Sequence, residues 1–134
     1  MATFEIVHVE LTASDDSHTI TVPVYAEIVA PGLAIAPEIG GDIDNGPQYE
    51  GGYALTHTAS GKSVAGVSAI GGHCIACIRN YAEAAINSGI DWTKPMDAVQ
   101  AAVKAGGEGI EAFKRAYVEL SGCGGTDCVE VDDF

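Results

Sequence analysis

The apolar residues of this chain change their period once, near residue 70, and that change fixes the order in which structure can be built. Phe4, Ile6, Val7, Val9 and Leu11 read as a strand, and over 18–29 Ile20, Val22 and Val24 alternate with Thr19 and Thr21. The Ser14-Asp15-Asp16-Ser17 cluster between them has turn chemistry, so the two strands pair as a hairpin. Pro31-Gly32 then punctuates, and Leu33–Ile35 is a further short strand. Pro37 through Gly52, rich in Gly, Pro, Asp and Asn, reads as a long loop. Tyr53–His57 and Lys62–Val67 are strand-like on either side of the Gly-terminated turn Thr58-Ala59-Ser60-Gly61. From Cys74 to Ser88 the spacing is helical, with Cys74, Ile78, Tyr81 or Ala82, and Ala85 on one face and Gly89 as a natural stop. Thr93-Lys94-Pro95 opens a second helix. Gly106-Gly107-Glu108-Gly109 interrupts it, and a third runs from about 110 to 121 with Ile110, Phe113, Tyr117 and Leu120 as its apolar stripe. Core packing is the expected job of that stripe. Strands first and helices afterwards predict an α+β fold, an N-terminal antiparallel sheet of four to six strands with two or three C-terminal helices packed on one face.

At 134 residues the chain is one domain, 1–134: mostly β over 1–67 with the loop 37–52, helical over 73–121, and an acidic tail over 122–134. With 47% hydrophobic residues it is too apolar for a disordered acidic protein. No apolar run approaches the roughly 18 residues that span a bilayer. The opening Met1-Ala2-Thr3-Phe4-Glu5 lacks a basic, then apolar, leader, so the expected location is the cytoplasm.

Charge is distributed unevenly. The first 61 residues hold nine acids and no Lys or Arg, while all six cations fall between Lys62 and Arg115, where five acids leave that segment at +1. The last 19 residues hold five acids and no cation. A net charge of -13 excludes direct nucleic-acid binding and attachment to an anionic membrane, both of which need Lys and Arg against phosphate. It leaves one segment able to build a site for a small anion. It also admits an acidic protein-interaction inhibitor, DNA-mimic-like, that blocks a basic surface of a host protein.

Within the cationic segment, Arg79-Asn80-Tyr81 and Phe113-Lys114-Arg115-Ala116-Tyr117 combine guanidinium forks for phosphate with rings for stacking. The candidate ligand-binding set is therefore Arg79, Tyr81, Arg115 and Tyr117, completed by Thr56 and His57 at the hairpin. The competing assignment is ordinary surface pairing of Arg79 with Glu83, and of Arg115 with Glu111 or Glu119. Arg115, in the sole adjacent cationic pair, is expected to carry about 1.5–3 kcal/mol of anion binding, and Lys62 far less. Cys74-x-x-Cys77 and Cys123-x4-Cys128 could supply four thiolates to zinc, but the spacing suits that site only loosely, and a Cys123–Cys128 disulfide or unremarkable thiols fit as well. Ser60-Gly61-Lys62-Ser63 fails as a phosphate-binding loop because residue 56 is Thr rather than Gly. His8, His18, His57 and His73 begin no two-histidine phosphodiesterase motif, and no nucleophile elbow is present. The residues call for no catalytic group, no cofactor and no resident metal.

Tyr53-Ala-Leu-Thr-His-Thr-Ala-Ser-Gly-Lys-Ser-Val64, the helix beginning Arg79-Asn-Tyr-Ala-Glu-Ala-Ala, and Ile90-Asp-Trp92 resemble small bacteriophage proteins, the Thoeris anti-defence sponges. The resemblance covers about 40 residues, and the order of sheet and helices is similar as well. It implies a non-enzymatic homo-oligomer that sequesters a nucleotide immune signal, a cyclic ADP-ribose isomer or cyclic oligonucleotide, in the host cytoplasm. The scarcity of cations, the 106–109 break and the acidic tail depart from that pattern. Independently, Ile39, Ile43 and Tyr49 in the 37–52 loop are apolar groups that a second copy would cover.

Overall fold

The structure, a computed structural model, describes residues 3–12, 19–42, 46–64 and 74–120. It is α+β, as the change of period predicts. Five strands, β1 (Thr3–Thr12), β2 (Thr19–Ala30), β3 (Leu33–Asp42), β4 (Gly46–His57) and β5 (Lys62–Ser63), form one antiparallel sheet in sequence order. Three helices follow, α1 (Ile75–Ile86), α2 (Met96–Ala105) and α3 (Glu108–Leu120). None of the described helices is long and apolar enough to cross a membrane. The turn at 14–17, His18, His73, Cys123, Cys128 and the tail over 122–134 lie outside the described residues.

Alternation gives the sheet two different faces. Val7 and Val9 of β1, Ala26 of β2, and Ala34 and Ala36 of β3 form one buried cluster, flanked by Val22, Val24, Ile28 and Ile39. No helical residue joins this cluster. Its burial comes from the sheet curling on itself: the Glu10 N–H donates to the Gly61 carbonyl at 2.9 Å, bringing β1 back to the β4–β5 turn. Three alanines at the centre of the concave face leave room for that curl. A Cβ on Gly61 would collide with the His8 carbonyl, so the closure also depends on glycine there.

The opposite, convex face carries Leu33, Ile35 and Leu55, which share one buried cluster with Ile78, Tyr81, Ala82 and Ala85 of α1, the helix lying on the sheet, and with Ile110, Phe113 and Leu120 of α3, which packs chiefly against α1. Residues 33–36 are therefore buried on both sides. Fully buried, they read as the short continuous run expected of a doubly covered strand.

The assignment of 37–52 as a loop is corrected. Pro37–Asp42 and Gly46–Gly52 continue β3 and β4, paired from Pro37↔Tyr53 to Asp42↔Gly46. Between Pro37↔Tyr53 and Ile39↔Tyr49, one residue of β3 faces three of β4, and Gly51 and Gly52 adopt φ 85° and 70°. A bulge of this kind accepts glycines and tolerates a proline, while backbone pairing supplies what the missing side-chain alternation does not. Of the apolar groups invoked there for self-association, Ile43 lies outside the described residues. Ile39 packs against the concave cluster.

Helix boundaries follow their local chemistry. Cys74 is the N-cap of α1, its sulfur accepting from the Cys77 N–H at 3.4 Å, and Gly89 with φ 86° follows its end. Pro95 precedes α2 and Asp97 lies in its first turn. Gly106 and Gly107, at φ 79° and 131°, separate α2 from α3.

Candidate functional site

Aromatic packing between α1 and α3 creates the site. Tyr81 stacks on Phe113 with centroids 5.0 Å apart and planes at 19°, Trp92 meets Phe113 edge-on at 5.8 Å, and Tyr117 leans on Tyr81 at 6.3 Å. The Trp92 indole is locked by donating its N–H to the Ala85 carbonyl at 3.0 Å. Tyr117 is 45% exposed, unlike the rest of its stripe. Above these rings opens a cavity of about 750 Å³, walled on one side by Met96, Val99 and Val103 of α2. That is the size range of small-molecule sites.

Its rim is cationic. Lys62 of β5, Lys104 of α2 and Lys114 of α3 line it, and Asp97 is the one acid among the lining residues. Half of the chain's six cations thus meet at one opening, with a single acid among the described lining residues. Lys62 reaches Glu10 at 3.9 Å and Lys114 reaches Glu111 at 3.7 Å, both with lysine side chains about half exposed. Such pairs contribute roughly 0–1 kcal/mol and yield readily to a better anion. Lys104 has no ion pair among the described residues.

The residues singled out from the sequence divide into three groups. Tyr81 and Tyr117 line the cavity. Arg79 does not: its guanidinium grips Glu27 of β2 with both nitrogens, at 2.8 and 3.2 Å, instead of pairing with Glu83. Arg115 lies on another side of α3, in a shallow groove with Asn80, Glu83 and Glu119. Thr56 and His57 are buried in the scaffold. The His57 ring bridges two segments, its Nδ1 2.8 Å from the Ser60 hydroxyl and its Nε2 2.8 Å from the Lys94 carbonyl. A carbonyl can only accept, so Nε2 is the donor to Lys94.

Sequence reasoning missed Lys62, Lys104 and Trp92 as lining residues; Lys114 and Phe113 fall in the 113–117 run that it singled out, but it gave the anion to Arg115 instead. Among the described residues no cluster of His, Cys, Asp and Glu could hold a metal ion, and Cys123 and Cys128 are outside them. Comparison with protein-family models, with curated proteins and with solved structures finds no match. The chemistry of the cavity therefore carries the functional reading. A ring-lined interior with a lysine rim suits a ligand that is aromatic or apolar at one end and anionic at the other.

Proposed function

We propose that this chain is a non-enzymatic phage anti-defence protein that binds and sequesters a cyclic nucleotide-type immune signal, a cyclic ADP-ribose isomer or a cyclic oligonucleotide, in the host cytoplasm. The observation that supports it is the convergence of Lys62, Lys104 and Lys114 over Tyr81, Phe113 and Tyr117 in a chain of net charge -13. Phosphate attraction at the rim and stacking on Tyr117, the exposed ring of the three, can coincide there. The anion-binding role moves from Arg79 and Arg115 to the lysines, because Arg79 is held by Glu27 and Arg115 faces away from the cavity.

Calorimetry with cyclic ADP-ribose isomers and cyclic di- and trinucleotides tests the proposal. Saturable binding of one of them is expected, with the ligand recovered intact and the affinity falling as salt is raised. Arg115→Ala should change that affinity less than about twofold, the behaviour of a residue outside the site. Ligand recovered cleaved would make the protein an enzyme. Silence from every nucleotide, with salt-sensitive binding to a basic protein instead, would replace this reading with the acidic inhibitor.

Self-association is proposed through a different surface from the one the sequence suggested. Phe4, Ile6 and Tyr25 are 60, 58 and 70% exposed, and Ile6 pairs directly with Tyr25 across β1 and β2. Two acids on the patch's own face are matched, Glu27 by Arg79 and Glu10 by Lys62, which lowers the charge that two copies would oppose there. Light scattering at tens of micromolar is expected to report a dimer that Ile6→Lys converts to monomer. A monomeric parent protein would remove this part of the proposal.

A further inference from the structure

Tyr81 combines two properties that rarely occur together. The residue is only 2% exposed, yet its hydroxyl makes no hydrogen bond among the described residues, and it lines the cavity. Buried phenols ordinarily find a partner, and leaving one without costs about 1–3 kcal/mol. Of the ring residues around it, Trp92 spends its N–H on the Ala85 carbonyl, and Tyr117 is half in solvent. The lysines lie farther out, with Lys62 and Lys114 side chains 56 and 48% exposed.

We infer that the Tyr81 hydroxyl is the specificity-determining group of this cavity, donating to a ring nitrogen or carbonyl of the ligand's base while Lys62, Lys104 and Lys114 hold its phosphates at the rim. This orients the ligand base inward and phosphates outward, and it rests on the nucleotide reading above. Burial, with the nearby Tyr117 adding to it, pushes the Tyr81 phenol well above its ordinary range, so it is a neutral donor at any working pH. A ligand that is only phosphate has nothing for this group.

Tyr81→Phe deletes the hydroxyl and keeps the stacked ring. Calorimetry on parent and variant should show about a 10- to 100-fold loss of affinity for the base-bearing cyclic nucleotide and no change for inorganic pyrophosphate. Without ligand, the variant's melting temperature should equal or exceed the parent's, since the group removed is one without a partner among the described residues. Equal nucleotide affinity in parent and variant would overturn the inference and leave the nucleotide reading standing. An equal loss for pyrophosphate would overturn it too, by placing the hydroxyl on phosphate. A ligand-free variant that melts several degrees lower, or does not fold, would show the hydroxyl to be structural. A parent protein that binds pyrophosphate but no base-bearing nucleotide would overturn both the inference and the reading on which it rests.

Discussion

Reversing two rim charges together, Lys104→Glu with Lys114→Glu, is expected to weaken nucleotide binding at least about 100-fold, close to 3 kcal/mol. The two lysines come from different helices and face one opening, so a phosphate between them feels both. Two unit charges about 4 Å apart interact by roughly 1 kcal/mol in water and about 4 kcal/mol near a protein surface. The Lys114 side chain is 48% exposed, so the lower part of that range applies, and reversal counts twice because it replaces attraction with repulsion. The fold should be indifferent, since Lys104 has no described ion pair and the Lys114–Glu111 contact at 3.7 Å is a surface one. Titration calorimetry together with far-ultraviolet circular dichroism measures both quantities. Undiminished binding in a folded variant would move the ligand elsewhere on the molecule.

His57→Ala should destabilise the protein by about 3–5 kcal/mol, through a cavity and a stranded polar group. The imidazole has no solvent exposure, and it is the clamp between the β4–β5 turn and the segment leading into α2. Its loss leaves the Lys94 carbonyl without the donor at 2.8 Å and removes the ring partner of the Ser60 hydroxyl. Urea denaturation should show a lower midpoint with an unchanged slope. A change below about 1 kcal/mol would mean that the clamp is not a stabilising contact. Because His57 sits in the scaffold, any effect on ligand affinity should be small while the variant remains folded.

Much of the fold was legible from local chemistry. Pro31-Gly32, Gly89, Pro95 and Gly106-Gly107 each mark a boundary that the structure keeps. The stretch 37–52 was not legible, because its pairing is made by backbone groups across a glycine bulge and leaves no period in the side chains. Concavity was equally hidden: Ala26, Ala34 and Ala36 look like weak strand residues until the sheet closes over them.

The site was half legible. Tyr81 and Tyr117 follow from aromatic residues near cations, but Arg79 meets a partner 52 positions away, visible only once β2 and α1 are in register. Lys114 and Arg115 are neighbours in sequence, yet on a helix successive side chains point about 100° apart, so one faces the cavity and the other does not. Lys62, expected to contribute far less than Arg115, lines the rim together with residues of α2 and α3.

The lysine rim also governs how a charged ligand would arrive. At long range the molecule presents a negative field, so an anion approaching at low ionic strength is turned away before it senses the opening. Near 0.15 M salt the screening length is about 8 Å, and an anion at the mouth then responds to the three lysines rather than to distant carboxylates. Capture is thereby confined to encounters at the mouth. A longer polyanion would meet the field of the net charge of -13 with more charges at once, and so at a greater cost than a compact ligand.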